Sequence, residues 1–149
     1  MTLNSPANRA TLRGLKGFEV LIEDIAPEAK EDGLTKDLIK TDVELRLRKA
    51  GIRVLTKEES PKIPQSQYLY INVIAGKHKE SEFYSIAIFV DLKQEVYLKR
   101  NPSITVLAST WSVATVGGVS ASQMKSNVRE QLGDLMDKFI NAYLAVNPK

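Results

Sequence analysis

Residues 82–99 place the tightest constraint on the fold. Tyr84, Ile86, Ile88, Val90, Leu92, Val96 and Leu98 fall on one parity, interrupted only by Gln94. A period of two over so long a stretch describes a strand with one buried face. That face must lie against a second layer. The opposite parity carries Phe83, Ser85, Ala87, Phe89, Asp91, Lys93, Glu95 and Tyr97, which predicts a second side left open.

The flanking stretches read as partners of this strand. Tyr68 to Ala75 alternates, and the turn Gly76–Glu80 leads into the long strand. Asn101-Pro102 marks the next turn, followed by a strand over Ile104–Val116 that Gly117-Gly118 ends. Short connections of this kind favour an antiparallel meander. Upstream, Phe18 to Ile25 reads as a strand, and Ala26 to Gly33 as a charged turn.

Two helices are predicted. The first opens at Thr35, whose hydroxyl can accept from the free amides of the first turn. Ile39, Val43, Leu47 and Ala50 line one face, and Gly51 stands where a left-handed C-cap belongs. Ile52–Leu55 then reads as a short strand parallel to the first, and a polar connection with Pro61 and Pro64 follows. The second helix covers about Ala121 to Ala145, with Ser120 and Gln123 at capping-box spacing. Its apolar stripe is Val128, Leu132, Leu135, Phe139 and Tyr143; Gly133 interrupts it as a mild helix weakener.

The order is therefore β-α-β-β-β-β-α. It predicts an α+β two-layer sandwich, a five-stranded mixed sheet with both helices on one face. At 149 residues and 43% apolar content, residues 12–149 can form one domain with its own core. Residues 1–11 read as a flexible leader, able also to fold back and cover the open side of the sheet.

Composition narrows the chemistry. With no cysteine and one histidine, thiol catalysis, cysteine-ligated zinc and multi-histidine metal sites are excluded. No cofactor or metal is expected. The net charge of +3 is too small to signal nucleic-acid binding by itself. No apolar run approaches the ~20 residues of a membrane span.

The open side of the sheet is the sharpest functional signal. It carries Tyr68, Tyr70, Phe83, Phe89 and Tyr97, half of the chain's aromatic residues. An aromatic face left wet points to a protein partner or a second copy of the chain, although strand propensity alone also favours tyrosine there. Single-stranded nucleic acid is the alternative, through stacking with Lys93, Lys99 and Arg100 nearby. Asp91 and Glu95 oppose it. Gly117, Gly118 and Ser120 form a possible anion site before the second helix, though a capping turn explains the same residues. His78 sits in a turn between Lys77 and Lys79 without an orienting partner. Acidic residues between Glu19 and Asp32 read as a solvated rim. Trp111 is expected in the core with Leu107 and Val113. A hydrolase is the remaining reading, but no nucleophile with base and orienter is visible.

Gly33-Leu34-Thr35, Thr41 through Ile52, Asn101 through Val113 and Phe139 through Pro148 resemble a family of small uncharacterised bacterial proteins. The resemblance runs from about Leu12 onward, and its motifs are structural. It implies export, with a signal peptide ahead of the domain and a periplasmic location, the cytoplasm being the alternative. It implies no activity or catalytic residue. The element order is more distantly similar to small envelope domains, such as the N-terminal domain of the Tol-system propeller protein.

Overall fold

A computed structural model describes residues 2–62 and 67–149. Pro64 of the predicted connection lies outside them. Among the described residues the fold is mixed α+β: a four-stranded sheet and four helices. Strands β1 (Glu19–Ile22), β2 (Gln67–Lys77), β3 (Phe83–Leu98) and β4 (Asn101–Ser120) stand in that order across the sheet. β1 is parallel to β2; the other pairs are antiparallel. The helices are α1 (Pro6–Ala10), α2 (Pro27–Glu31), α3 (Lys36–Lys49) and α4 (Ala121–Val146).

The predicted fifth strand is missing, so the five-stranded order is corrected to four. Ile52–Leu55 touches β1 through one parallel bridge, Phe18 to Val54. The Phe18 amide donates to the Arg53 carbonyl at 3.0 Å, and the Leu55 amide to the Phe18 carbonyl at 2.8 Å. The ladder stops there because Thr56 turns the chain: its hydroxyl accepts from the Glu59 amide, while Glu59 reaches back to Arg53.

Helix boundaries follow their capping chemistry. Thr35 Oγ1 accepts from the Leu38 amide at 3.2 Å, which satisfies one free donor of α3. Gly51 takes φ 77°, and the Ile52 amide closes back onto the Leu47 carbonyl at 2.9 Å. That six-to-one closure needs the left-handed residue glycine supplies. The predicted turn at 26–33 contains α2, opened by Pro27 and closed in the same way by the Leu34 amide on the Ala29 carbonyl.

Ser120 makes no side-chain cap bond to α4, so the predicted capping box is not formed. β4 also runs straight through Gly117 and Gly118, where the sheet was expected to end.

α3 and α4 cover one face of the sheet. Ile39, Val43 and Leu47 of α3, with Met124, Val128, Leu135 and Phe139 of α4, are buried against Ile71, Tyr84, Ile88, Val90 and Leu92. Phe139 is the hub of an aromatic cluster, with Phe18 and Trp111 rings each 5.2 Å away in edge-to-face geometry. Such pairs add about 0.5–1.5 kcal/mol each beyond their buried area.

Residues 2–11, read above as a flexible leader, are bound to the outer edge of the sheet. Leu3 and Ser112 exchange two main-chain hydrogen bonds at 3.0 Å. Ser5 and Asn8 form a reciprocal capping box that starts α1. Asn8 Nδ2 donates to the Thr110 carbonyl at 2.9 Å, and Asn4 accepts from the indole of buried Trp111 at the same distance.

Candidate functional site: the open sheet face and its projecting arm

The alternation along β2 and β3 places its side chains as the sequence predicts. Leu69, Ile71 and Val73 are buried, while Tyr68, Tyr70, Asn72 and Ile74 turn to the uncovered side. Register sets the rows across this side. Tyr68 stands beside Lys93, Tyr70 beside Asp91, and Asn72 beside Phe89. Ile74, Ala87 and Val116 form a further row over three strands.

The five predicted aromatics do not form one surface. Phe83 and Tyr97 lie at opposite ends of β3, about 46 Å apart at ~3.3 Å per residue. Tyr68, Tyr70 and Phe89 lie between them, all half-buried, and Tyr70 is set in a polar network. The Tyr70 hydroxyl donates to the Glu23 carboxylate. That bond, with partial burial, pushes the Tyr70 pKa up to about 12. Lys93 Nζ lies 5.4 Å from the Tyr70 ring centre. It also donates to Ser109 at 2.6 Å and pairs with Asp91 at 3.4 Å. Lys93 is thus engaged inside the protein.

A second phenol anchors the opposite, covered face. Tyr84 is fully buried, and its hydroxyl donates to Asp32 at 2.5 Å. Burial first, and this bond second, push its pKa up to about 12. Lys77 reaches the same carboxylate at 2.9 Å. The Tyr84 hydroxyl and Lys77 hold the Asp32 carboxyl below its ordinary range.

Near Trp111 the sheet changes character. Leu92 faces Trp111, but Lys93 faces Ser109, so Thr110 is an extra residue in β4. Gln94 Nε2 fastens this bulge, donating to Thr110 Oγ1 at 2.6 Å and to the Thr11 carbonyl at 3.2 Å. The extra residue moves Leu107 to the open side, where it is 57% exposed. The expected placement of Leu107 in the core with Trp111 is corrected accordingly; Val113 is buried as expected.

Beyond Gln94, which faces Gln67, β3 has no partner in β2. Residues 95–107 therefore continue as a two-stranded arm among the described residues. Tyr97, Ile104, Val106 and Leu107 are all exposed on it, Tyr97 by 65%. Val96 and Leu98, expected in the core, are only half-buried because the helices do not reach them. Sequence reasoning missed this arm. The signal available was the length of β3, sixteen residues against eleven in β2.

The possible anion site takes another form. Gly117 and Gly118 are ladder residues opposite Ile86 and Ser85, and Ser120 faces Phe83. The Phe83 ring lies over Gly118, where a methyl group would collide with it. His78 is exposed, with Nε2 2.9 Å from Ser85 Oγ. Among the described residues, no three histidine, aspartate or glutamate side chains are placed to hold a metal. No helix there is long and apolar enough to cross a membrane.

No protein-family model matches the chain, and no curated protein matches it. Among solved structures, a dodecameric PelC variant from Paraburkholderia phytofirmans is similar at 16% identity and TM-score 0.45. The match covers 88% of this chain and 92% of that one.

Proposed function

We propose that the chain is a non-enzymatic binding or assembly domain of the bacterial envelope, acting through the arm and the adjoining open face. One observation carries this: among the described residues, four of the eight exposed large apolar side chains lie within residues 97–107. A two-stranded ribbon is marginal in water by itself. Keeping Tyr97, Ile104, Val106 and Leu107 wet on such a ribbon costs solubility unless a partner covers them. On the open side, where Tyr97 and Leu107 lie, the half-buried aromatics Tyr68, Tyr70 and Phe89 continue the surface toward the sheet centre.

The test is site-specific photo-crosslinking from Tyr97, Leu107 and Phe89 in cells making the protein. Discrete protein adducts from the arm are expected. No adduct from any of the three positions overturns the proposal. Fractionation of the same cells tests the envelope assignment: recovery with the cytoplasmic fraction overturns that part.

A further inference from the structure

The two edges of the sheet are unequal. β1 is four residues long, and a bridge to Val54 covers one end of it. β4 runs for twenty residues, and between Asn101 and Ser120 it holds no Asp, Glu, Lys or Arg. In a chain with 26% charged residues that absence is a strong bias. Proteins ordinarily guard a long edge strand with lysine, proline or brevity, because its unpaired amides and carbonyls accept another strand.

The free part of this edge is defined by the ladder. Ser112 turns its amide and carbonyl outward, to Leu3. In an antiparallel ladder every second residue does the same, so Ala114, Val116 and Gly118 also point outward. The opposite parity faces β3, consistent with the Ala121 amide donating to the Glu82 carbonyl at 2.8 Å. Among the described residues nothing pairs with the outer side of 114–118. Val116, at the centre of that stretch, is 77% exposed.

We propose that the outer edge of β4 from Ala114 to Gly118 pairs antiparallel with the same edge of a second copy of the chain. The proposal rests on the assembly reading above and names the partner for one surface. Two features favour a second copy over a foreign strand. A twofold antiparallel pair sets the strand against itself, where any charge near the axis would meet its like; β4 carries none. An uncharged edge also offers little to discriminate a foreign strand, which is selected by charge or by pockets. The net charge of +3 opposes the approach of two copies only weakly. Leu3 already shows that this edge accepts an extended segment in antiparallel sense. Centred on Val116, the pairing makes about six interstrand bonds. It sets the two Val116 side chains together, so that the Ile74–Ala87–Val116 row continues into the second copy.

Light scattering on the whole chain over a range of concentrations, combined with amide exchange, tests this. The expected result is a concentration-dependent dimer in which the Ala114, Val116 and Gly118 amides slow with association. Val116→Lys should raise the dimer dissociation constant more than tenfold and return those amides to fast exchange. Val116→Pro should do the same, because the amide it removes makes no bond to β3. Circular dichroism of both variants checks that the monomer is folded. A wild-type chain that stays monomeric overturns the proposal. So does a dimer whose three amides are unaffected, or one that survives Val116→Lys. In those two cases adducts from Tyr97 would still uphold the wider assembly reading, so the two failures are distinguishable.

Discussion

Arg46 of α3 lies across α4 at Gly133, in the space a side chain there would fill. A methyl group on Gly133 would meet the Arg46 guanidinium, which instead passes over the glycine to pair with Asp137 at 2.7 Å. Next to it Arg129 of α4 pairs with Asp42 of α3, at 2.6 and 2.9 Å. The two helices are therefore linked by arginines sent in both directions.

This predicts a specific coupling. Gly133→Ala gains about 0.5–1 kcal/mol of helix propensity but displaces the far end of Arg46. Alone it should change stability by less than about 0.5 kcal/mol, since the exposed ion pair it disturbs is worth ~0.2–1 kcal/mol. In an Arg46→Ala background the same change should stabilise by nearly the full propensity gain. Urea titrations of the four proteins check it through the double-mutant cycle.

Gly17 gives the opposite outcome. A Cβ there would stand 2.8 Å from the Arg53 carbonyl oxygen, which is main chain and cannot swing aside. Gly17→Ala should therefore pry open the Phe18–Val54 bridge and cost about 1–3 kcal/mol. A lowered urea midpoint with an unchanged slope is the expected reading.

Alkali should reveal Tyr70 and Tyr84. Both have folded pKa values of about 12, against an unfolded value near 10. Their protonated forms therefore contribute stability that is whole below about pH 10 and is lost as pH rises through about 12. The urea midpoint should fall across that window, and less steeply in a Tyr70→Phe, Tyr84→Phe double variant. Phenolate absorbance should show two late-titrating groups that the double variant lacks.

Trp111 supplies a local probe. Its buried indole donates to Asn4 at 2.9 Å, so Asn4→Leu strands that donor. A loss of about 1–3 kcal/mol is expected. Because Trp111 is the chain's only tryptophan, its fluorescence during urea unfolding reports the change directly.

Local signals in the sequence carried much of this fold. Thr35 and Gly51 bound α3 because capping depends on a few adjacent residues, and the alternation from Tyr84 to Leu92 follows from one uninterrupted pleat. Non-local features were not legible in the same way. The β-rich composition of Ile52–Leu55 reads as a strand, and the Thr56–Glu59 turn that ends its pairing after Val54 is visible only once Glu59 is seen to bond Thr56 and Arg53. Nothing near Ser5 reveals that the N-terminal segment docks on Ser112 and Thr110, over a hundred residues away. The candidate face was half legible: Tyr68, Tyr70 and Phe89 sit on the expected side. The hold of Tyr70 on Glu23 and Lys93 depends on cross-strand register, which only the folded sheet supplies.

Thr110 shifts the side-chain frame of everything between it and the tip. Without that one residue, Leu107 would turn toward the helix side and Val106 toward the open side. The surface that the arm presents is thus set by an insertion in the sheet ahead of it. A change of one residue in length there would turn over the β4 strand of the arm, while Tyr97 on β3 kept its side. Substitutions on the arm alter its chemistry, but only a change in residue count at the bulge alters its handed presentation.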